Sequence, residues 1–441
     1  MIKYKSRIST RSLLCKAIKI PVFVPPVLIL VNIYVIMTGP PCPIDDTGNP
    51  YIQGGPSLKD NLSRVVVDEE MVKQKTTNEQ RLAHISAVCA KYNQDEKFRG
   101  MKMTGEVIAT PDKSLIYCDI PKVGCTHWKQ VFRYITHDYE GNVNSPEEIP
   151  RIYAHFGPWN HTSLIKLSDK TAVNELNSRG FKFMMSRDPY ERLWSGYLDK
   201  LFLPDFWWWL GTKMVSEVRP EADELSKKCG HDVTFSEFLE FTAIHLRQGK
   251  HVDMHFEPMH RRCNPCQLNF SVIGKMETFS QDSKLILDKV KLKHRSKRSV
   301  VTDRSLEEIK MLTRYNFDIQ NRLTSLGKKE ECYNQVEIAY RLWKTFQFNG
   351  YIGDEVEFPE EEIANIQSRE HIKEVLLNKL IAVRKRASPD ALKRWKEQRQ
   401  LYVEKAYENI PRHIVEAIRD EYSKDFELFQ YDREPKFIFR R

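Results

Sequence analysis

Residues 115–135, LIYCDIPKVGCTHWKQVFRYI, and residues 181–202, FKFMMSRDPYERLWSGYLDKLF, share one layout. Each opens on a short apolar run of strand type, turns through polar residues, and continues with apolar side chains at helical spacing. The first places a strand at 115–120, a turn at 121–127 and a helix at 128–135. The second places a strand at 181–186, a turn at 187–189 and a helix at 190–202. Short apolar runs alternate with helical stretches around both, and no segment repeats. That alternation predicts an α/β domain built on a P-loop-like, mostly parallel sheet flanked by helices. Ligands of such sheets settle outside the carboxyl ends of the strands, where the first N–H groups of the next helix favour phosphate. Both turns fall at that edge.

The turn PKVGCTHWK (121–129) holds the parts of a phosphate cradle. Gly124 lets the backbone approach closely, Thr126 offers a hydroxyl, Lys122 carries a mobile point charge, and the helix from Trp128 supplies N–H groups. Alone, this composition also fits an ordinary strand-to-helix loop. The second turn separates the two readings, because Arg187 at the strand end and Ser195 two helical turns later can converge on one phosphate. No G-x-x-x-x-G-K-[ST] occurs in the chain, which disfavours a nucleotide kinase or triphosphatase of Walker type.

Both segments resemble the two donor-binding motifs of the Golgi carbohydrate sulfotransferases, in the branch that holds the chondroitin and dermatan 4-O-sulfotransferases and the HNK-1 enzyme. The likeness carries PKVGCTHWK, with His127 where Asn is usual, and RDPYERLWS (187–195). It extends to IPRIYAHF (149–156), HFEPMHRRCNPCQLNFSVIGKMET (255–278) and YSKDFELFQY (422–431), and leaves 291–413 unmatched. The resemblance implies transfer of a sulfuryl group from 3'-phosphoadenosine 5'-phosphosulfate (PAPS) to a sugar hydroxyl, without a metal. The acceptor it favours is N-acetylgalactosamine O-4 in chondroitin- or dermatan-type chains. An HNK-1-like or N-glycan terminus, or a catalytically inactive glycan-binding relative, are the alternatives.

Site roles follow from the same resemblance. Lys122 would neutralise charge on the oxygen bridging sulfur and the leaving 5'-phosphate. Pro121, Val123, Gly124, Cys125, Thr126 and His127 would complete the 5'-phosphosulfate loop. Arg187 and Ser195 would hold the 3'-phosphate, in a segment that also includes Asp188, Pro189, Tyr190, Glu191, Arg192, Leu193 and Trp194. Arg192 either adds to the donor's field or stands as an exposed helical arginine. For the general base, His155 and His255 are the candidates, each also open to a structural role, with His161, His260 and Glu257 as further options.

Cys263 and Cys266 have metal-ligand spacing, yet no second C-x-x-C or His pair lies at zinc-finger distance. They are read as disulfide cysteines of open pairing, with Cys229 and Cys332 as possible partners. FWWWL (206–210) reads as buried core, a lid or a sugar platform.

The N-terminus sets the expected compartment. Residues 20–37 form an apolar run broken by Asn32 and by Pro21, Pro25 and Pro26, near the lower limit of a membrane-spanning helix. Lys3, Lys5, Arg7, Arg11, Lys16 and Lys19 precede it without an acidic residue, and the first carboxylates after it are Asp45 and Asp46. The positive-inside rule then predicts a cytosolic tail (1–17), a transmembrane signal-anchor (18–37), a Pro- and Gly-rich stem (38–78) and a lumenal domain (79–435). A cleaved signal peptide is the rival, but the run is long for one and no clear cleavage site follows. Lumenal placement gives meaning to the sequons at Asn61, Asn160 and Asn269 and favours disulfides. The net charge of +9, with Lys and Arg clustered at 289–298 and 384–399, suits a polyanionic partner. Lumenal placement conflicts with nucleic acid, and leaves an acidic glycan such as a glycosaminoglycan, an acidic membrane, or, for the cluster at 291–298, an ordinary solvated loop.

Overall fold

The computed structural model describes residues 58–289, 303–325 and 330–439. The chain divides into two units, Met1–Val67 and Asp68–Arg441, and of the first only the opening turns of one helix are described. The anchor expected at 18–37 lies outside the described residues. Among these residues no helix is long and apolar enough to cross a membrane.

The sheet has the order β3-β1-β2-β4-β5, with β1 Glu106–Ala109, β2 Leu115–Cys118, β3 Ser163–Lys166, β4 Phe181–Ser186 and β5 Val272–Lys275. Strands β2, β4 and β5 run parallel, in a register that sets Tyr117 beside Phe183 and Phe183 beside Val272. The expectation of a mostly parallel sheet needs correction at one side, where β1 pairs antiparallel with both β2 and β3. For β1 and β2 the reason is chain length: the short link from Ala109 to Leu115 allows a hairpin, whereas a parallel pair needs a crossover of a dozen or more residues.

Helix α2 (Cys125–Thr136) follows β2, and α4 (Pro189–Tyr197) follows β4, with α3 (Arg151–Phe156) between them in the chain. Because β2 and β4 are parallel neighbours, the two turns they feed lie side by side. Tyr117 stacks on Phe183 at 5.0 Å, and Trp128 packs edge-on to Phe183 at 4.4 Å, all three fully buried. Burying each such ring contributes roughly 1.5–3 kcal/mol and anchors α2 to the strands it serves.

Helix α1 (Leu58–Tyr92) begins inside the segment read as a stem, and by Asn78 it is already part of the core. The Asn78 amide donates to the Ser271 carbonyl at 3.1 Å and accepts from the Ile273 N–H at 3.2 Å, so it covers the free edge of β5. Arg81 adds a buried ion pair with Asp282 at 3.0 Å. Cys263 and Cys266 do not pair with each other: Cys266 joins Cys89 of α1 and Cys263 joins Cys118 of β2. Cys229 and Cys332 pair together.

The tract outside the resemblance is helical where described. Helices α5 (Arg304–Ser325), α6 (Gln335–Phe348) and α7 (Arg369–Arg386) enclose their own core around Leu342, Trp343 and Leu376. Helix α8 (Pro389–Glu408) instead lends Val403 and Tyr407 to the core beneath α4. The Tyr407 hydroxyl donates to the Tyr190 carbonyl at 2.9 Å, which ties α8 to the second motif.

Candidate functional site

The turn after β2 is held in an uncommon shape. Lys122 (φ +70°) and Gly124 (φ +85°) both adopt left-handed backbone conformations. Glycine does so without penalty, while a lysine there costs on the order of 1–3 kcal/mol, which neighbours must offset. Three contacts do. Arg192 donates from Nε to the Pro121 carbonyl at 3.1 Å, Arg187 donates to the Lys122 carbonyl at 3.4 Å, and the Lys122 ammonium pairs with Asp199 at 2.8 Å. Gly124 caps α2 with no side-chain acceptor, so the first N–H groups of that helix face outward from the turn. Val123 and Cys125 turn their side chains into the core, which leaves their backbone as the part available to a ligand.

Asp199 is the centre of a buried charge cluster. Besides Lys122 it faces Arg151 at 3.6 Å and Lys200 at 3.6 Å. Burial works against its ionisation, yet Lys122, Lys200 and Arg151 outweigh that and hold its carboxyl well below the usual range. Lys200 is also bonded to Asp205, whose second oxygen accepts from the Tyr315 hydroxyl at 3.1 Å. Burial pulls the Lys122 pKa down, and Asp199 offsets only part of it.

Both candidate histidines adjoin this cluster. Nε2 of His155 lies 3.0 Å from the Thr126 hydroxyl, and burial with Lys129, Arg151 and Lys200 pushes its pKa well below the ordinary value. His255 places Nδ1 2.6 Å from Asp253. Burial, and then Lys200, lower it to about 4 despite that carboxylate. A carboxylate can only accept, so Nδ1 carries the proton and Nε2 is left as the acceptor. Phe206 stands edge-on to the His255 ring at 5.5 Å.

The second motif divides sharply in use. Arg187 is buried, paired with Glu191 at 3.3 Å, and its Nε–H has no partner among the described residues. Asp188 caps α4 by accepting from the N–H groups of Tyr190 and Glu191, and burial raises its pKa to about 7. Pro189 opens the helix, Tyr190 and Leu193 are buried core, and Trp194 packs on Phe235 at 5.0 Å. Ser195 is half-buried two turns on from Arg187. Arg192 is not an exposed helical arginine: it is 1% exposed, and beyond Pro121 it donates to the carbonyls of Met254 at 3.1 Å and Glu257 at 2.6 Å. It therefore pins the Lys122 turn to the loop that carries His255.

The other sequence candidates have structural partners. His260 is buried against Asp425 at 2.7 Å. Glu257 accepts from Thr104 at 2.7 Å, and His161 sits 3.2 Å from Asp138 on an exposed loop. The His127 ring packs between Trp128 at 5.2 Å and Phe279 at 5.4 Å. Within FWWWL, Trp207 is core while Trp208 is 39% exposed. Asn160 and Asn269 are exposed, and Asn61 lies in α1. Sequence reading missed Arg151, Asp199, Lys200 and Asp253. The available signals were an Asp-Lys pair just after α4, an arginine one turn before His155, and an aspartate two residues before His255.

Residues 105–348 match the Sulfotransferase family. The chain is 30% identical over 188 residues to carbohydrate sulfotransferase 11 of Rattus norvegicus, covering 41% of this chain and 51% of that protein. It is 23% identical over 308 residues to carbohydrate sulfotransferase 8 of Homo sapiens, covering 68% of each. It is 27% identical over 234 residues to human carbohydrate sulfotransferase 9, covering 51% of this chain and 50% of that protein. The chain thus spans about half the length of the rat and mouse relatives it matches. No solved structure matches it.

Proposed function

Because the chain belongs to the Sulfotransferase family, we propose that it transfers a sulfuryl group from PAPS to a carbohydrate hydroxyl, with N-acetylgalactosamine O-4 of chondroitin- or dermatan-type chains as the acceptor. The observation that carries this reading is the contact of Arg187 with the Lys122 carbonyl, which sets the two motif turns against each other. The residues suit the donor: outward N–H groups at Gly124 for one phosphate, and a buried guanidinium with an unused N–H for another.

The donor supplies the sulfuryl group and departs as adenosine 3',5'-bisphosphate. Asp199 holds the Lys122 ammonium beside the turn, from which it neutralises the leaving bridging oxygen as the S–O bond breaks. His255 is the base: Asp253 fixes its ring, and Nε2 takes the proton of the acceptor hydroxyl as the new S–O bond forms. A pKa of about 4 keeps this ring neutral and ready to accept. His155, bound to Thr126, steadies the phosphate turn.

We place this domain in the Golgi lumen, behind a single-pass type II anchor at 18–37 and a stem, with N-glycans at Asn61, Asn160 and Asn269. The test uses the full-length chain expressed in microsomes, labelled donor, and a panel of desulfated chondroitin, dermatan and N-glycan acceptors. Label in N-acetylgalactosamine O-4, and endoglycosidase-sensitive protein, are expected. Label in no glycan would overturn the activity; label in another sugar would overturn only the acceptor.

A further inference from the structure

Glu191 carries two guanidinium groups on one oxygen. Its Oε2 lies 3.3 Å from Arg187, which stands between strand β4 and the helix cap Asp188, and 3.7 Å from Arg399, which arrives from α8 more than two hundred positions later. Arg187 is 5% exposed and Arg399 40%, so one cation forms the floor of the spot and the other its rim. The buried floor still has an N–H without a partner among the described residues. A buried guanidinium with a spare donor stands beside a second guanidinium and shares with it the Glu191 carboxylate, while Glu277 also acts on its charge. It offers more hydrogen-bond donors than Glu191 can use. A phosphate dianion supplies what is missing. The repulsion between the two cations is felt at Arg187, whose pKa is lowered by burial first and by Arg399 next.

We propose that Arg399, through its approach to Arg187 across Glu191, is a second guanidinium for the donor's 3'-phosphate and so a specificity residue supplied by helix α8. This rests on the donor reading above. It adds to it a residue from outside both motifs and beyond the matched span of 105–348. Helix α8 is placed for the task by Tyr407, which bonds the Tyr190 carbonyl at 2.9 Å and fixes the helix against the segment holding Arg187 and Glu191. The exposed pair with Glu191 adds little to stability, so its removal leaves the fold in place.

The experiment is calorimetric titration of the full-length protein in detergent with adenosine 3',5'-bisphosphate and, separately, with adenosine 5'-phosphate. Wild type and the variants Arg399→Ala, Arg399→Lys and Arg394→Ala are compared, Arg394 being an exposed cation on another face of α8. Arg399→Ala should weaken the bisphosphate about three- to tenfold, the low end for a charge-assisted bond, and leave the monophosphate unchanged. Arg399→Lys should recover part of the loss and Arg394→Ala should match wild type. Equal losses for both nucleotides, no loss, or the same loss in Arg394→Ala would overturn the assignment of Arg399 alone. Wild-type protein that bound neither nucleotide would overturn the donor reading, and this inference with it.

Discussion

The turn at 121–126 and the segment at 187–195 look alike in sequence and are used in opposite ways. In the first, the side chains of Val123 and Cys125 are spent on packing, while the backbone and one strained lysine are the parts we assign to the donor. In the second, the backbone is helical and capped, and Asp188, Tyr190, Arg192 and Leu193 all serve the fold. Only Arg187 and Ser195 remain for a phosphate. The first turn is thus suited to transition-state chemistry and the second to ground-state grip. Each histidine follows its own turn, His155 through Thr126 and His255 through the hold of Arg192 on the flanking carbonyls.

Lys122→Ala probes this division most strongly. By analogy with loss of an oxyanion donor, kcat should fall about a hundred- to a thousandfold, with a smaller rise in donor KM. Steady-state kinetics that showed normal kcat and a raised KM would erase the distinction between the turns. Lys122→Arg should restore part of the loss, since a planar fork replaces a compact ammonium poorly.

Arg192→Met should act on the fold. It strands the buried carbonyls of Pro121 and Glu257 and the part-buried one of Met254, at about 1–3 kcal/mol for each buried group left unsatisfied, so unfolding free energy should drop by roughly 2 kcal/mol or more. A variant that melted like wild type but bound donor weakly would move Arg192 to the ligand side.

Acid should report on the histidines. The ordinary His255 value of 6.5 falls to about 4 in the folded state, so the unfolded chain takes its proton first. Stability from this group is complete above about pH 6.5 and is lost as pH falls toward 4, in all on the order of 3 kcal/mol. His155, whose pKa burial also lowers, acts in the same direction. Melting temperatures between pH 7 and 4 should decline less steeply in His255→Asn than in wild type; parallel slopes would show that His255 is not held neutral.

Arg187→Ala should weaken binding of adenosine 3',5'-bisphosphate about ten- to a hundredfold, more than Arg399→Ala and less than the loss of kcat in Lys122→Ala. The fold should lose about 1 kcal/mol or more with the contacts to the Lys122 carbonyl and Glu191, and the melting temperature should fall with it. Unchanged affinity would remove the second turn from the donor site.

Both turns were legible because strand, turn and helix are local. The strand at 181–186 matches β4 to the residue, and the helix expected from 190 is α4 followed by a single π-type turn, Leu198–Phe202. That turn carries Asp199 and Lys200, whose importance comes from Arg151 and Lys122, distant in the chain, and no local pattern announces it. The antiparallel side of the sheet was hidden for a related reason: β1 and β3 are short, and pairing direction depends on links that composition does not describe. The stem boundary at 78 cuts through helix α1 because the apolar face of that helix is sparse; polar Gln74, Asn78 and Arg81 fasten it instead.

The two bridges at Cys263 and Cys266 make the order of synthesis matter. Their partners, Cys118 and Cys89, lie 145 and 177 residues nearer the start, so both thiols emerge long before anything they should join. At roughly 5–20 residues per second the delay is on the order of ten to thirty seconds. During it, Cys89, Cys118 and Cys125 are each other's nearest companions, although none of them pairs with another in the finished protein. A nascent chain exposed to oxidant that early would cross-link wrongly and need reshuffling by thiol exchange once residue 266 appeared. Slow maturation, hastened by a disulfide isomerase and not by more oxidant, is the signature this architecture should leave.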